Sequence, residues 1–139
     1  MQAPASSNSS ITLSVSILRS LEVVYGYASD PGNLPQWAPG LCQNIRQEGD
    51  EWCIESPMGV VRLKFTPTNA FGILDHWVVP APDVEIYVPM RVIANPESGS
   101  TVLFTLFRLP GMSDAEFAAD QKMVQADLVR LKQVAEGLP

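Results

Sequence analysis

Asp75 and His76 sit side by side in "FGILDHWVVPAP", and His76 is the single histidine of the chain. A histidine that titrates near neutral pH, next to a carboxylate that could orient it, suggests general acid–base chemistry. The periodicity of the segment argues against a dyad. It reads as a strand, and successive strand side chains point to opposite faces, so both groups enter one cavity only where a bulge intervenes. One of the two is expected inside and the other outside.

The neighbouring loops decide which. If "PAPD" is a four-residue loop, Val79 pairs with Val84, Trp77 faces Ile86 and Asp75 faces Val88. Ile86, Val88, Met90 and Val92 form the apolar set of the next strand, so this register puts Phe71, Ile73, Asp75 and Trp77 inside. The turn at "PTNA" agrees if its loop has three residues and disagrees if it has two. The expectation is an inward Asp75 and a His76 packed, partly exposed, on the convex face. A buried carboxylate must be hydrogen-bonded or paired. Asp75 is then either a structural group tied to Tyr25, a backbone amide or an arginine, or an anchor or general base for a ligand's carbonyl or hydroxyl.

Other chemistry finds little support. The sequence has no nucleophile arrangement, no glycine-rich phosphate loop and no paired glutamates across a cleft. One histidine and two separated cysteines make a poor metal site, and no cofactor is expected. Cys42 and Cys53 fall on two arms of a hairpin turning at Gly49-Asp50, about four residues out of register or roughly 13 Å apart. A disulfide needs Cα atoms within about 7 Å, so two free thiols are expected, matching a reducing compartment. Arg108 is expected to pair with Asp120 or Asp127, two solvated rim charges beside a helical stripe.

The positioning elements are a strand over Ile11–Leu18, a helix capped by Ser20, and a proline-rich stretch with one helical turn near Leu34–Trp37. Six consecutive strands follow, one of them "VVRLKFT" with Val61, Leu63 and Phe65 on one face; Met58-Gly59 is the turn before it. Ser113 and Glu116 form a capping box, and Phe117, Val124, Leu128, Leu131 and Ala135 mark the buried stripe of a long last helix. That stripe requires an apolar surface to cover it. The solution is α+β: a curved antiparallel sheet of seven strands wrapped around the C-terminal helix, with two short helices after the first strand.

The chain has 139 residues, 46% of them hydrophobic, and a net charge of −6. That length suits one domain. Residues 1–10 read as a disordered tail and 11–139 as the domain. The scattered basic residues argue against nucleic acid and anionic membranes as partners. No apolar run approaches the ~18 residues of a membrane span, and the start lacks signal-peptide features, so a cytoplasmic location is expected.

The order of elements, "ASDPGNLPQWAPGL" and the closing "TVLFTLFRLPGMSDAEFAADQKMVQADLVRLKQVAE" resemble the SRPBCC superfamily, also called START-like or helix-grip proteins. The likeness is nearest to the polyketide cyclase/dehydrase-like branch and covers residues 11 to 136. The resemblance implies a pocket between sheet and long helix. Its members include lipid and hormone carriers, aromatic cyclases, ring-hydroxylase subunits and chaperone cofactors. The metal-bearing hydroxylase type is excluded by the histidine count, and the short chain implies a small cavity.

The expected function is binding of a small hydrophobic or aromatic ligand. Trp37 would plug the entrance; Phe65, Ile73, Trp77, Val88 and Met90 would line the pocket, with Asp75 as polar anchor. Met58 and Met90 would let it adapt. The sequence leaves two alternatives open: a cyclase/dehydrase-like enzyme using Asp75, and a protein-interaction module with a closed cavity. Oligomeric state is not legible.

Overall fold

Ser10–Ile17 forms β1, whose odd positions Ile11, Leu13, Val15 and Ile17 turn inward. The structure, a computed structural model, describes residues 10–57 and 59–139. The expected tail over residues 1–9 and the adaptable Met58 therefore lie outside the described residues, while Ser10 already pairs with Phe107. Helix α1 (Leu21–Ala28) starts where the Ser20 side chain accepts a hydrogen bond from the Val23 amide. A 3-10 turn at Pro31–Asn33 leads into the single-turn α2, Leu34–Trp37.

The meander follows as β2 (Asn44–Glu48), β3 (Glu51–Ser56), β4 (Gly59–Phe65), β5 (His76–Ala81), β6 (Val84–Val88), β7 (Met90–Asn95) and β8 (Gly99–Phe107). All neighbours are antiparallel, in the orders β2-β3-β4-β5-β6 and β1-β8-β7. The two groups share one stretch of chain, Val84–Asn95. Pro89, which has no N–H to donate, divides what the sequence reads as one strand into β6 and β7, giving eight segments for the seven expected. The first half pairs with β5 and the second with β8.

Helix α3, Asp114–Glu136, carries the expected capping box: the Ser113 side chain accepts from the Glu116 amide and the Glu116 carboxylate from the Ser113 amide. Its buried residues are the five of the predicted stripe. Val124, Leu128, Leu131 and Ala135 share one core cluster with Val92, Val102, Leu63 and Val24, and burying Leu128 and Leu131 contributes about 2 kcal/mol each. The wrapped antiparallel sheet, the long final helix and the two short helices make this a helix-grip fold.

The hairpin β2–β3 turns at Gly49-Asp50, opposing Arg46 to Cys53, and both cysteines are buried free thiols. Burial pushes the Cys42 thiol up to about 11. Arg108 departs from expectation. It pairs with Asp114, Nη2 to Oδ1 at 2.6 Å, donates to the Met112 carbonyl and lies over the Phe117 ring, because the end of β8 faces the helix start rather than its middle.

Candidate functional site

The register of β5 against β6 decides what lines the interior. His76 pairs with Val88, Trp77 with Tyr87 and Val78 with Ile86, but Ala81 pairs with Val84. Val79 and Pro80 thus oppose Glu85 alone: a β-bulge at a residue that cannot donate to the ladder. The turn has two residues, Pro82-Asp83, not four. The expected register is off by one, and a one-residue slip exchanges the faces of a strand.

Leu74, His76 and Val78 therefore belong to the interior. Trp77 does not line the interior as expected. It stacks on Tyr87, 5.4 Å between centroids, which stacks on Phe107 at 6.3 Å. Phe71, also expected inside, is 78% exposed. His76, expected on the convex face, is buried between Phe65 and Phe104, with ring centroids 5.6 and 6.2 Å away.

Its Nδ1 lies 3.0 Å from the Leu74 carbonyl oxygen. A carbonyl only accepts, so the neutral ring carries its proton on Nδ1 and leaves Nε2 as a lone-pair acceptor. Burial is the main influence and holds the imidazole below its usual range, against the Leu74 bond and the Asp75 charge. At neutral pH His76 is uncharged.

Asp75 is buried too, but its carboxylate is fully engaged. Oδ1 accepts from the Met90 amide at 2.9 Å and Arg91 Nε at 3.0 Å; Oδ2 accepts from Arg91 Nη2 at 2.9 Å and the Tyr87 hydroxyl at 2.7 Å. Burial would raise its pKa, yet Arg91, the Met90 amide and Tyr87 together hold it down at about 2. It is the structural carboxylate of the sequence reading, with Tyr87 in place of Tyr25, whose hydroxyl instead accepts from the Asn69 amide. The carboxylate spans the break at Pro89, taking the Met90 amide where the ladder is interrupted. Gly72 (φ +71°) brings this segment in: the Val92 amide donates to its carbonyl, and a Cβ there would collide with the Val92 oxygen.

Two cavities meet at the inner face of β5. The larger, about 410 Å³, lies between the sheet and α3. Val78, Ile86, Val88, Phe104, Leu106 and Leu128 supply most of its apolar wall. Tyr87, Phe107 and Met123, which also line it, are 37–41% exposed and mark where it meets the surface. The smaller, about 30 Å³, has room for roughly one water and is bounded by Tyr25, Phe65, Thr66, Ile73, Asp75 and Met90. Leu34, Trp37 and His76 border both.

Of the expected lining residues, Phe65, Ile73, Asp75 and Met90 gather at the small cavity, Val88 at the large one and Trp37 at both, whereas Trp77 reaches neither. Trp37 is only 5% exposed and its buried Nε1 has no hydrogen-bond partner. The sequence reading missed His76 as a wall residue and Phe104 facing it, and it took Asp120 and Asp127 for solvated rim charges, whereas with Glu116 they line one side of the chamber. The spacing of the acids on α3, beside the buried stripe, put Asp120 and Asp127 in view and could have added Glu116. Burial pushes the Asp127 carboxyl up to about 6, countered only in part by Arg130; burial and then Glu116 raise that of Asp120.

Comparison with solved structures assigns the fold. The protein XoxI from Bacillus cereus superposes with a TM-score of 0.75 at 20% identity, over 93% of this chain and 96% of that one. The Aha1 dimer from Colwellia psychrerythraea gives 0.69 at 17%, over 92% and 96%. DynU16, a protein of the dynemicin biosynthetic locus, gives 0.69 at 16% over 93% of this chain, which spans 48% of that longer chain. No family model matches the sequence, and neither does any curated protein. These likenesses agree with the SRPBCC resemblance at the level of the fold.

Proposed function

We propose that this protein binds a small apolar or aromatic molecule in the chamber between the sheet and α3. The observation that carries the reading is the chamber itself: about 410 Å³, walled by Val78, Ile86, Val88, Phe104, Leu106 and Leu128 and reaching the surface beside Tyr87 and Met123. Few polar groups break the wall, which is the usual character of a ligand site. Burial at ~25 cal/mol per Å² drives entry, and the Nε2 lone pair of His76, whose ring lines the chamber, fixes orientation. A chamber with a mouth argues against the interaction module with a closed cavity.

The test is native mass spectrometry of freshly purified protein, followed by titration with phenylnaphthylamine as a neutral apolar probe. A retained small molecule or a saturable one-to-one titration is expected. Neither one appearing would overturn the reading.

A second reading, an enzyme of the cyclase/dehydrase type, is favoured by one observation: the His76 ring lines the chamber with its Nδ1 committed to the Leu74 carbonyl, which leaves Nε2 as the lone-pair nitrogen. Its base would be His76 rather than Asp75, because a carboxylate held at about 2 by four hydrogen bonds has little tendency to take a proton. The relation in fold to a protein of the dynemicin biosynthetic locus is compatible with either reading.

A further inference from the structure

The charged groups around the chamber all have one sign. Glu116, Asp120 and Asp127 line it from α3, and among the described residues no lysine or arginine does. Arg130, the cation that acts on Asp127, is engaged elsewhere, donating from Nε to the Gln36 carbonyl at 2.7 Å. Among the described residues no hydrogen bond or salt bridge neutralises the Asp127 or Asp120 carboxylate, and burial raises the pKa of both. A carboxylate drawn out of water without a counter-charge is costly, and a cation brought by a ligand removes that cost. Trp37, Phe104 and Phe107 line the same chamber, and aromatic side chains there can pack against a ring or a cation.

From this juxtaposition we infer that the chamber selects an organic cation: a protonated amine on an apolar, ring-bearing body, its nitrogen at Asp120 and Asp127 and its ring toward Trp37 and Phe104. The inference rests on the chamber being a ligand site. It adds the charge class of the ligand, and it places fatty acids and other carboxylates among the excluded molecules, since they would meet three like charges.

Three compounds of matched shape separate the claims: naphthylethylamine, naphthylethanol and naphthylacetate, titrated calorimetrically at pH ~7.5 and low ionic strength, where the field of exposed charges is least screened. The expected order is amine, then alcohol, then carboxylate, with the amine at least about tenfold tighter than the alcohol. Asp120→Asn with Asp127→Asn should bring the amine down to the alcohol's affinity and leave the alcohol unchanged, which also certifies that the variant is folded. A carboxylate that binds as well as the amine, or an amine unaffected by the double substitution, overturns the inference and leaves the chamber reading standing. Failure of all three to bind overturns the inference, while the chamber reading stands or falls with the phenylnaphthylamine titration.

Discussion

Asp75 and His76 are adjacent in sequence and opposite in use. The carboxylate is spent on Arg91, Tyr87 and Met90, and the imidazole sits among aromatic rings. Because the folded-state pKa of Asp75 is depressed to about 2 from 3.8, its contribution is present above pH ~4 and is lost as pH falls from there toward 2. With Arg91 half exposed, that contribution is about 1 to 2 kcal/mol. Asp75→Asn should therefore lower the urea midpoint at neutral pH and flatten the acid limb of a stability–pH curve. His76 works in the neighbouring window. Its folded pKa lies below the 6.5 of the free side chain, so stability should begin to fall as pH drops below about 6.5, and His76→Phe should remove that dependence. The same variant loses the Nε2 acceptor, so its affinity should fall for a hydroxyl-bearing probe more than for a purely apolar one.

At the scale of elements, α3 and β4 were legible because each has one buried face and an uninterrupted period. Ser113, Glu116 and the five stripe residues all fall where spacing puts them. The strand β5 was not. Ile73, Trp77 and Val79 alternate as well as Leu74, His76 and Val78 do, so either set could have been the inner one, and the choice passed to a loop whose length the sequence does not fix. The bulge at Val79-Pro80 then shifted the register by one. The inward lining was accordingly read correctly on β4 and β6 and inverted on β5. Two substitutions probe these elements by urea denaturation. Leu128→Ala, at a fully buried position on α3, should cost about 2 to 5 kcal/mol. Gly72→Ala adds a Cβ against the Val92 oxygen at φ +71° and should cost about 1 to 3 kcal/mol.

For the molecule as a whole, the helix-grip architecture was readable from element order and the pocket between sheet and helix followed from the resemblance. The wall that β5 gives it was not readable, since the bulge decides which of its side chains face the chamber. That space can be tested by filling it. Leu106→Trp, in the chamber wall, should weaken phenylnaphthylamine binding by at least about tenfold while the change in unfolding free energy stays within about 3 kcal/mol. Equal loss of binding and of folding would show instead that the site and the core are one unit.

Pro89 carries a consequence at this scale too. The strand it interrupts serves two masters, β5 on one side of the proline and β8 on the other. The curved wall is therefore two leaves sharing a spine, clasped by the Asp75 carboxylate on the Met90 amide and Arg91. The same spine is held by the Leu74 amide on the Met90 carbonyl and the Val92 amide on the Gly72 carbonyl, so the bend of the wall, and with it the room beneath, is fixed by the segment that runs into β5.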